Sequence, residues 1–260
     1  MSTYTNILTQ TQNNVAVITL NRPRRRNAIT HAMLGEMAQA LKSAAKDRQV
    51  RAIVLTGAKH SFCAGQDLAE FGGESSPNYV YKHILRHYHP VIQLLTAIEK
   101  PIIAAINGLA AGAGASLALA CDLRVMSDDA SLLLAFSNIA LIPDAGATWF
   151  LVRAVGYSRA YEIAIEGEKI SAERCLTLGL SNKLAAADEL MPVALNWAEQ
   201  LAQRPAFALG LTKRAMNKAV TVSLAQAIEY EAHLQQLAAE SADFAEGVAA
   251  FVEKRPPVFK

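Results

Sequence analysis

Cysteine is scarce. Cys63, Cys121 and Cys175 make an odd three, with no CxxC spacing and no neighbouring His pair. This argues against a disulfide framework and a zinc site, so reduced, mostly buried thiols and no metal are expected. Charge of one sign is scarce too: a formal net charge of +2 implies no general affinity for nucleic acid or anionic membrane, so any anion is held locally. A long apolar run is also missing, because residues 101–121 are broken by Asn107, Gly108, Gly112 and Gly114, unlike a membrane span. The first ten residues lack the basic and apolar regions of a signal peptide, and a soluble cytoplasmic protein is the expectation. Nor does the composition leave room for disorder. With 52% hydrophobic and 18% charged residues over 260 positions, the chain can bury one large core, or a core plus a smaller appendage.

What is present reads as repeated strand and helix. Residues 14–20 (NVAVITL) and 52–56 (AIVLT) are short β-branched runs, and between them residues 30–47 place Met33, Leu34, Met37, Ala40, Leu41 and Ala44 at helical spacing. The order recurs with a helix at 90–99, a strand at 101–106, a small-residue helix at 113–120 and a strand at 123–126, which predicts an α/β core. From Ala145 onward nearly everything reads as helix, interrupted at Gly156, Gly167, Gly179 and Pro205. A core over residues 1–195 and a helical segment over 196–260 are expected. The helices at 207–220 and 222–239 carry more apolar positions than their own domain needs, which suggests contact between subunits. Residues 72–78 (GGESSPN) read as a lid or pocket-wall loop.

Two segments could bind an oxyanion. In 61–68 (SFCAGQDL) a small-small-Gly turn opens a new segment, leaving main-chain N–H groups near Gln66 and Asp67 unpaired. Taken alone, the octapeptide also reads as an ordinary turn with Asp67 as a helix cap. In 107–117 (NGLAAGAGASL) Gly112, Ala113 and Gly114 open a helix whose backbone can approach a ligand, though tight packing explains the same residues. The run is not a GxGxxG dinucleotide site.

Four ordered blocks now stand out: 21–29 (NRPRRRNAI), 62–68 (FCAGQDL), 101–122 (PIIAAINGLAAGAGASLALACD) and 142–149 (IPDAGATW). Together they resemble the enoyl-CoA hydratase/isomerase (crotonase) superfamily over nearly the whole chain. The resemblance implies an α/β crotonase-like spiral of ββα units with a C-terminal α-helical trimerisation segment, forming a homotrimer or a dimer of trimers. It implies an acyl-CoA thioester substrate whose carbonyl is held by the N–H groups of Gln66 and Ala113, beside Gly112. No separate cofactor is implied, since coenzyme A belongs to the substrate. Carried over by position, Arg26, Ala28, Ala64, Asp67 and Leu68 line the CoA path. The arginines 22, 24, 25 and 26 are assigned to CoA phosphates rather than to nucleic acid.

The reaction is read from what occupies the acid positions. Hydratases of this superfamily use two glutamates, and here the matching positions are Ser116 and Phe136. Without a paired acid and base, activation and delivery of water are hard to stage. One acid remains, Asp144. It could be a helix N-cap, but the stretch 135–149 (AFSNIALIPDAGATW) resembles the 1,2-epoxyphenylacetyl-CoA isomerases, where the matching Asp is the proposed acid/base. The expectation is an acyl-CoA isomerase in which Asp144 shuttles a proton, its pKa raised by Phe136, Leu141, Ile142 and Trp149. Alternatives are an enoyl-CoA hydratase, a hydrolytic aryl-CoA dehalogenase with Asp144 as nucleophile and His89 as base, and a CoA- or RNA-binding member without turnover. His89 in HYHP also reads as a surface or capping residue.

Overall fold

The computed structural model describes residues 4–70 and 78–259. Its larger sheet contains β1 (Ile7–Gln12), β2 (Val15–Leu20), β3 (Ala52–Gly57), β5 (Ile102–Ile106), β7 (Leu123–Ser127) and β10 (Lys183–Ala185), side by side in that order. Only β1 runs antiparallel to its neighbour. A smaller sheet carries β4 (Ser61–Cys63), β6 (Leu109–Ala111) and β8 (Ser131–Leu133) in parallel, with β9 (Lys169–Ser171) antiparallel at the edge. Each of the strands β3, β5 and β7 thus feeds a short strand of the second sheet, as the spiral of repeated units requires.

The period-two alternation of strand side chains divides the core. Ile53, Leu55, Ile102, Ala104 and Ile106 join the larger cluster, against α1 (His31–Lys46), α3 (His89–Ala97) and α4 (Ala113–Ala120). Ala52, Val54, Ile103 and Ala105 point the other way, onto α8 (Leu190–Ala202), whose Leu190, Ala194, Ala198 and Ala202 form one buried stripe. Because both faces are covered, β3 reads as a continuous apolar run rather than an alternating one. The helix expected over 30–47 is α1, with the Thr30 hydroxyl accepting from the Met33 N–H as its N-cap.

The connection between the sheets and α3 runs through α2 (Tyr79–His83) and a π-helical turn, Ile84–Tyr88, that continues directly into α3. After the second sheet come α5 (Ala147–Val155), α6 (Tyr157–Glu166) and α7 (Ala172–Thr177), then α8, α9 (Ala206–Ala219), α10 (Leu224–Ala239) and α11 (Ala242–Glu253). The expected boundary at 195/196 falls inside α8, which is bound to the sheet by its apolar stripe. The loop expected at 72–78 lies outside the described residues except for Asn78. Among the described residues, no helix is long and apolar enough to cross a membrane.

Candidate active site

The three parallel strands of the smaller sheet end side by side, and the segments leaving their C-terminal ends enclose a cavity of about 350 Å³. Ala64, Gly65 and Gln66 follow β4; Gly112 and Ala113 follow β6; Ala135, Phe136, Asn138, Ile139, Leu141 and Asp144 follow β8. Val80, His83, Ile84 and Tyr88, on the helix leading into α3, close the remaining wall with Leu68.

The amide of Gln66 is aimed by its neighbours. Ile29 N–H donates to the Gly65 carbonyl and Asp67 N–H to the Ile29 carbonyl, both at 2.8 Å, so residues 65 and 67 face Ile29. In extended chain the intervening residue turns its N–H the opposite way, here into the cavity. Ala113 is the first residue of α4, where the helix provides no acceptor for its N–H. Gly112 N–H donates to Leu133 (2.8 Å), anchoring the turn to β8. Among the described residues neither the Gln66 nor the Ala113 N–H has a hydrogen-bond partner.

Two glycines let the segments carrying Gln66 and Ala113 approach each other. Gly112 adopts φ +51°, ψ −125°, a conformation closed to side-chain-bearing residues, although open space surrounds it. Gly65 has φ +95°, and a methyl group there would lie 2.9 Å from the Ala111 carbonyl oxygen and 3.6 Å from the Ala113 nitrogen. The two loops therefore touch through main chain alone.

Opposite stands Asp144. It is three residues before α5, whose N-cap is Gly146, so the capping role is not the one its carboxyl serves. Its Oδ1 is buried with no hydrogen-bond partner among the described residues. Burial pushes its pKa up to about 6, opposed only by its own main-chain N–H. Phe136 and Leu141 line the cavity as expected, but Ile142 is 80% and Trp149 40% exposed. Neither is among the residues lining the cavity, whose other apolar walls are Tyr88, Val80, Ile84 and Ile139.

Ser116, where a hydratase-type glutamate was sought, is fully buried and its Oγ donates to the Asp144 carbonyl at 3.0 Å. A hydroxyl thus ties the loop of the acid to α4, a role no sequence spacing disclosed. Tyr88 was also missed. Its hydroxyl donates to Gln66 Oε1 at 2.5 Å, and burial pushes its pKa up, so it stays protonated.

The remaining expected residues stand outside the cavity. Arg22 pairs with Asp67 at 2.9 Å and donates to the Ala28 carbonyl at 2.6 Å, and this pairing holds the Asp67 carboxyl below its usual range. Asp67 and Ala28 therefore brace the loop from behind. Arg26 is exposed, and its carbonyl accepts from Ala64 N–H at 2.9 Å. His89 is exposed and does not line the cavity, so it does not meet Asp144 there. The three cysteines are buried and unpaired, and burial pushes the Cys63 thiol up to about 12.

Two stacked, mainly parallel sheets, with a cavity at the strand ends lined by main-chain amides on one side and a buried acid on the other, define the crotonase fold. The chain belongs to the enoyl-CoA hydratase/isomerase family, whose model matches residues 10–260. It is 40% identical to the 1,2-epoxyphenylacetyl-CoA isomerase of Escherichia coli over 97% of both chains. It is 42% identical to a probable enoyl-CoA hydratase of Rhodobacter capsulatus over 94% of each. Among solved structures, an enoyl-CoA hydratase from a Polaromonas species superposes with a TM-score of 0.94 at 34% identity, covering 98% of this chain and 99% of the other.

Proposed function

We propose that this protein is an acyl-CoA isomerase that moves a double bond by proton transfer between carbons of the acyl chain. The observation that carries the reading is the acid inventory of the cavity: Asp144 is the single carboxylate among its described lining residues. Hydration needs one group to activate water and another to deliver a proton, whereas isomerisation needs one group that takes a proton and returns it elsewhere. Ser116 and Phe136 supply no second acid.

In this reading the thioester carbonyl oxygen accepts from the Gln66 and Ala113 N–H groups. The Asp144 carboxylate removes a proton from the carbon between carbonyl and double bond, and the electron pair moves into an enolate whose charge gathers on that oxygen. Asp144, now protonated, returns the proton at the far carbon of the allyl system, giving the conjugated thioester. A pKa near 6 suits both halves, since the group is mostly ionised at neutral pH yet is a better base than an exposed carboxylate. The chain is similar both to an isomerase-named and to a hydratase-named relative, so the choice rests on the acid inventory.

Oligomer formation through α9 to α11 belongs to the same proposal. Leu224 (77%), Phe251 (85%) and Val252 (73%) are exposed there, as surfaces awaiting sister subunits are, and a trimer or dimer of trimers would cover them.

The test is Asp144→Asn assayed with a 3-enoyl-CoA by the absorbance of the conjugated product. Turnover should fall by about 10²–10⁴ while CoA-thioester binding is kept. Full turnover by the Asn variant would refute the assignment.

A further inference from the structure

Beside the Gln66 side chain, at the cavity wall that His83 lines, three histidines meet. His31 opens α1, and His83 and His87 lie one turn apart on the helix leading into α3, the i, i+4 spacing that presents two imidazoles on one face. One ring nitrogen from each lies within 4.8 Å of the others. His31 Nε2 is 2.7 Å from His83 Nδ1, and the His31 and His87 rings stack with centroids 4.3 Å apart. Glu70 Oε2 stands 3.9 Å from His31 Nε2.

Hydrogen bonding around Gln66 decides which His83 nitrogen is available. Glu70 Oε2 accepts from the His31 main-chain N–H (3.0 Å) and from Gln66 Nε2 (3.2 Å), so the amide NH2 of Gln66 faces the carboxylate. Its oxygen then faces Tyr88 and His83, and accepts from the Tyr88 hydroxyl and from His83 Nε2, the latter at 3.2 Å. With its proton on Nε2, neutral His83 turns the lone pair of Nδ1 toward His31 and the centre of the cluster. A ligand histidine whose other N–H is held by an oxygen acceptor is the usual arrangement in zinc sites.

We propose that His31, His83 and His87 bind one zinc ion per chain, with Glu70 moving in as fourth donor. Three imidazole nitrogens and one carboxylate oxygen form a zinc-type donor set. Around a tetrahedral ion with bonds of about 2.0–2.1 Å, donor atoms stand about 3.3 Å apart. Among the three imidazole nitrogens the present spread, 2.7 Å at one edge and up to 4.8 Å elsewhere, brackets that value, while Glu70 Oε2, 3.9 Å from His31 Nε2, has to move in to complete the set. His31 and His87 are only partly buried, so their rings can adjust and the ion can enter from solvent, while buried His83 is the fixed anchor. On loading, the ion replaces the hydrogen bond in which His31 Nε2–H donates to His83 Nδ1, and the His31 proton shifts from Nε2 to Nδ1, freeing Nε2 for the ion. The bond from His83 Nε2 to Gln66 survives, so the ion would brace the side chain whose own main-chain N–H faces the cavity.

The test is equilibrium dialysis of the full chain against Zn²⁺ without acyl-CoA, with bound metal counted. The wild type should take up one zinc per chain, and His87→Gln and His31→Gln should each weaken binding by more than about 100-fold, beyond what loss of an outer-shell partner costs. Zinc should also raise the melting temperature of the wild type and leave that of His87→Gln unchanged. Co²⁺ in the same site should show the strong visible bands of a tetrahedral centre. Absence of stoichiometric uptake by the wild type, or equal uptake by both variants, would overturn the proposal. Because no readout uses turnover, failure here leaves the isomerase reading intact.

Discussion

On one wall of the cavity Gln66 and Ala113 offer main-chain N–H groups; on the other Asp144 offers a side chain. The first wall is held redundantly, by the bridge to Ile29, the bond from Gly112 to Leu133, and the Arg22–Asp67 pair behind. The second hangs on a loop tied to α4 by the Ser116 hydroxyl and to α5 by the Ala147 N–H, with one carboxylate oxygen left without a partner among the described residues. The difference suits the two tasks proposed for them. Donors that stabilise developing charge act best when nothing reorganises during the reaction, and main chain in a braced loop meets that need. A proton carrier must gain and lose its charge, and a poorly solvated, unpartnered carboxyl has the raised pKa that this requires. Substitution can therefore delete the second wall directly but can only displace the first.

The sharpest way to break the comparison is to displace the amide wall. Gly65→Ala forces a methyl group against the Ala111 carbonyl at a positive φ, so the loop must shift away from α4. The two amides then no longer share one point, and kcat should fall by about 10²–10³, the loss typical of one missing oxyanion donor. Fluorescence-detected binding of a non-reactive acyl-CoA should change far less. If kcat is unaffected, the amide wall is not the seat of charge stabilisation.

A second experiment separates the walls by pH. In the unfolded chain Asp144 titrates near 3.8, whereas in the fold its pKa is about 6, so burial disfavours the ionised form. Well below pH 3.8 the group is protonated in both states and costs nothing; the cost grows as pH rises from there, and above about pH 6 the group is ionised in both and the fold bears the full penalty. Asp144→Asn removes that penalty. Urea melts should show the Asn variant equal to wild type near pH 3 and more stable by on the order of 2–3 kcal/mol near pH 7.5. Equal stability of the two proteins at both pH values would mean the carboxyl is not buried as described.

The walls also differ in how far they could be read from residues alone. Periodicity located the large elements, as with α1 against residues 30–47 and the helix at 113–120, because an apolar stripe is a repeated local signal. It missed β4, β6, β8, β9 and β10, each three residues long and too short to show a period. It also missed β1, whose only fully buried side chain is Ile7, although Asn13 and Asn14, both at positive φ, mark its hairpin turn. Gly65, Gly112 and Asp144 were visible as motif residues, since backbone demands and a lone acid leave their mark at one position. Ser116, Tyr88 and the histidine cluster were not. Their roles depend on partners 22 to 56 residues away, brought together only by the two sheets and the helix between them.

The smallest expected effect probes the tether of the weaker wall. Ser116→Ala removes the hydroxyl that donates to the Asp144 carbonyl, but that carbonyl keeps its bond from Ala147 N–H at 3.0 Å, so no buried acceptor is orphaned. The stability cost should therefore be near that of one ordinary hydrogen bond, about 1 kcal/mol. The loop of the acid loses one of its two ties; the Gly112 carbonyl loses only a long 3.4 Å bond from the same hydroxyl and keeps the Ser116 N–H at 3.1 Å, and Gln66 and Ala113 are untouched. This predicts a fall in kcat of up to about tenfold with KM unchanged, because the thioester is still gripped by the intact amides and only the proton carrier is misplaced. A rise in KM instead would mean that Ser116 supports the α4 turn carrying Ala113, and the division between a main-chain wall that binds and a side-chain wall that reacts would have to be redrawn.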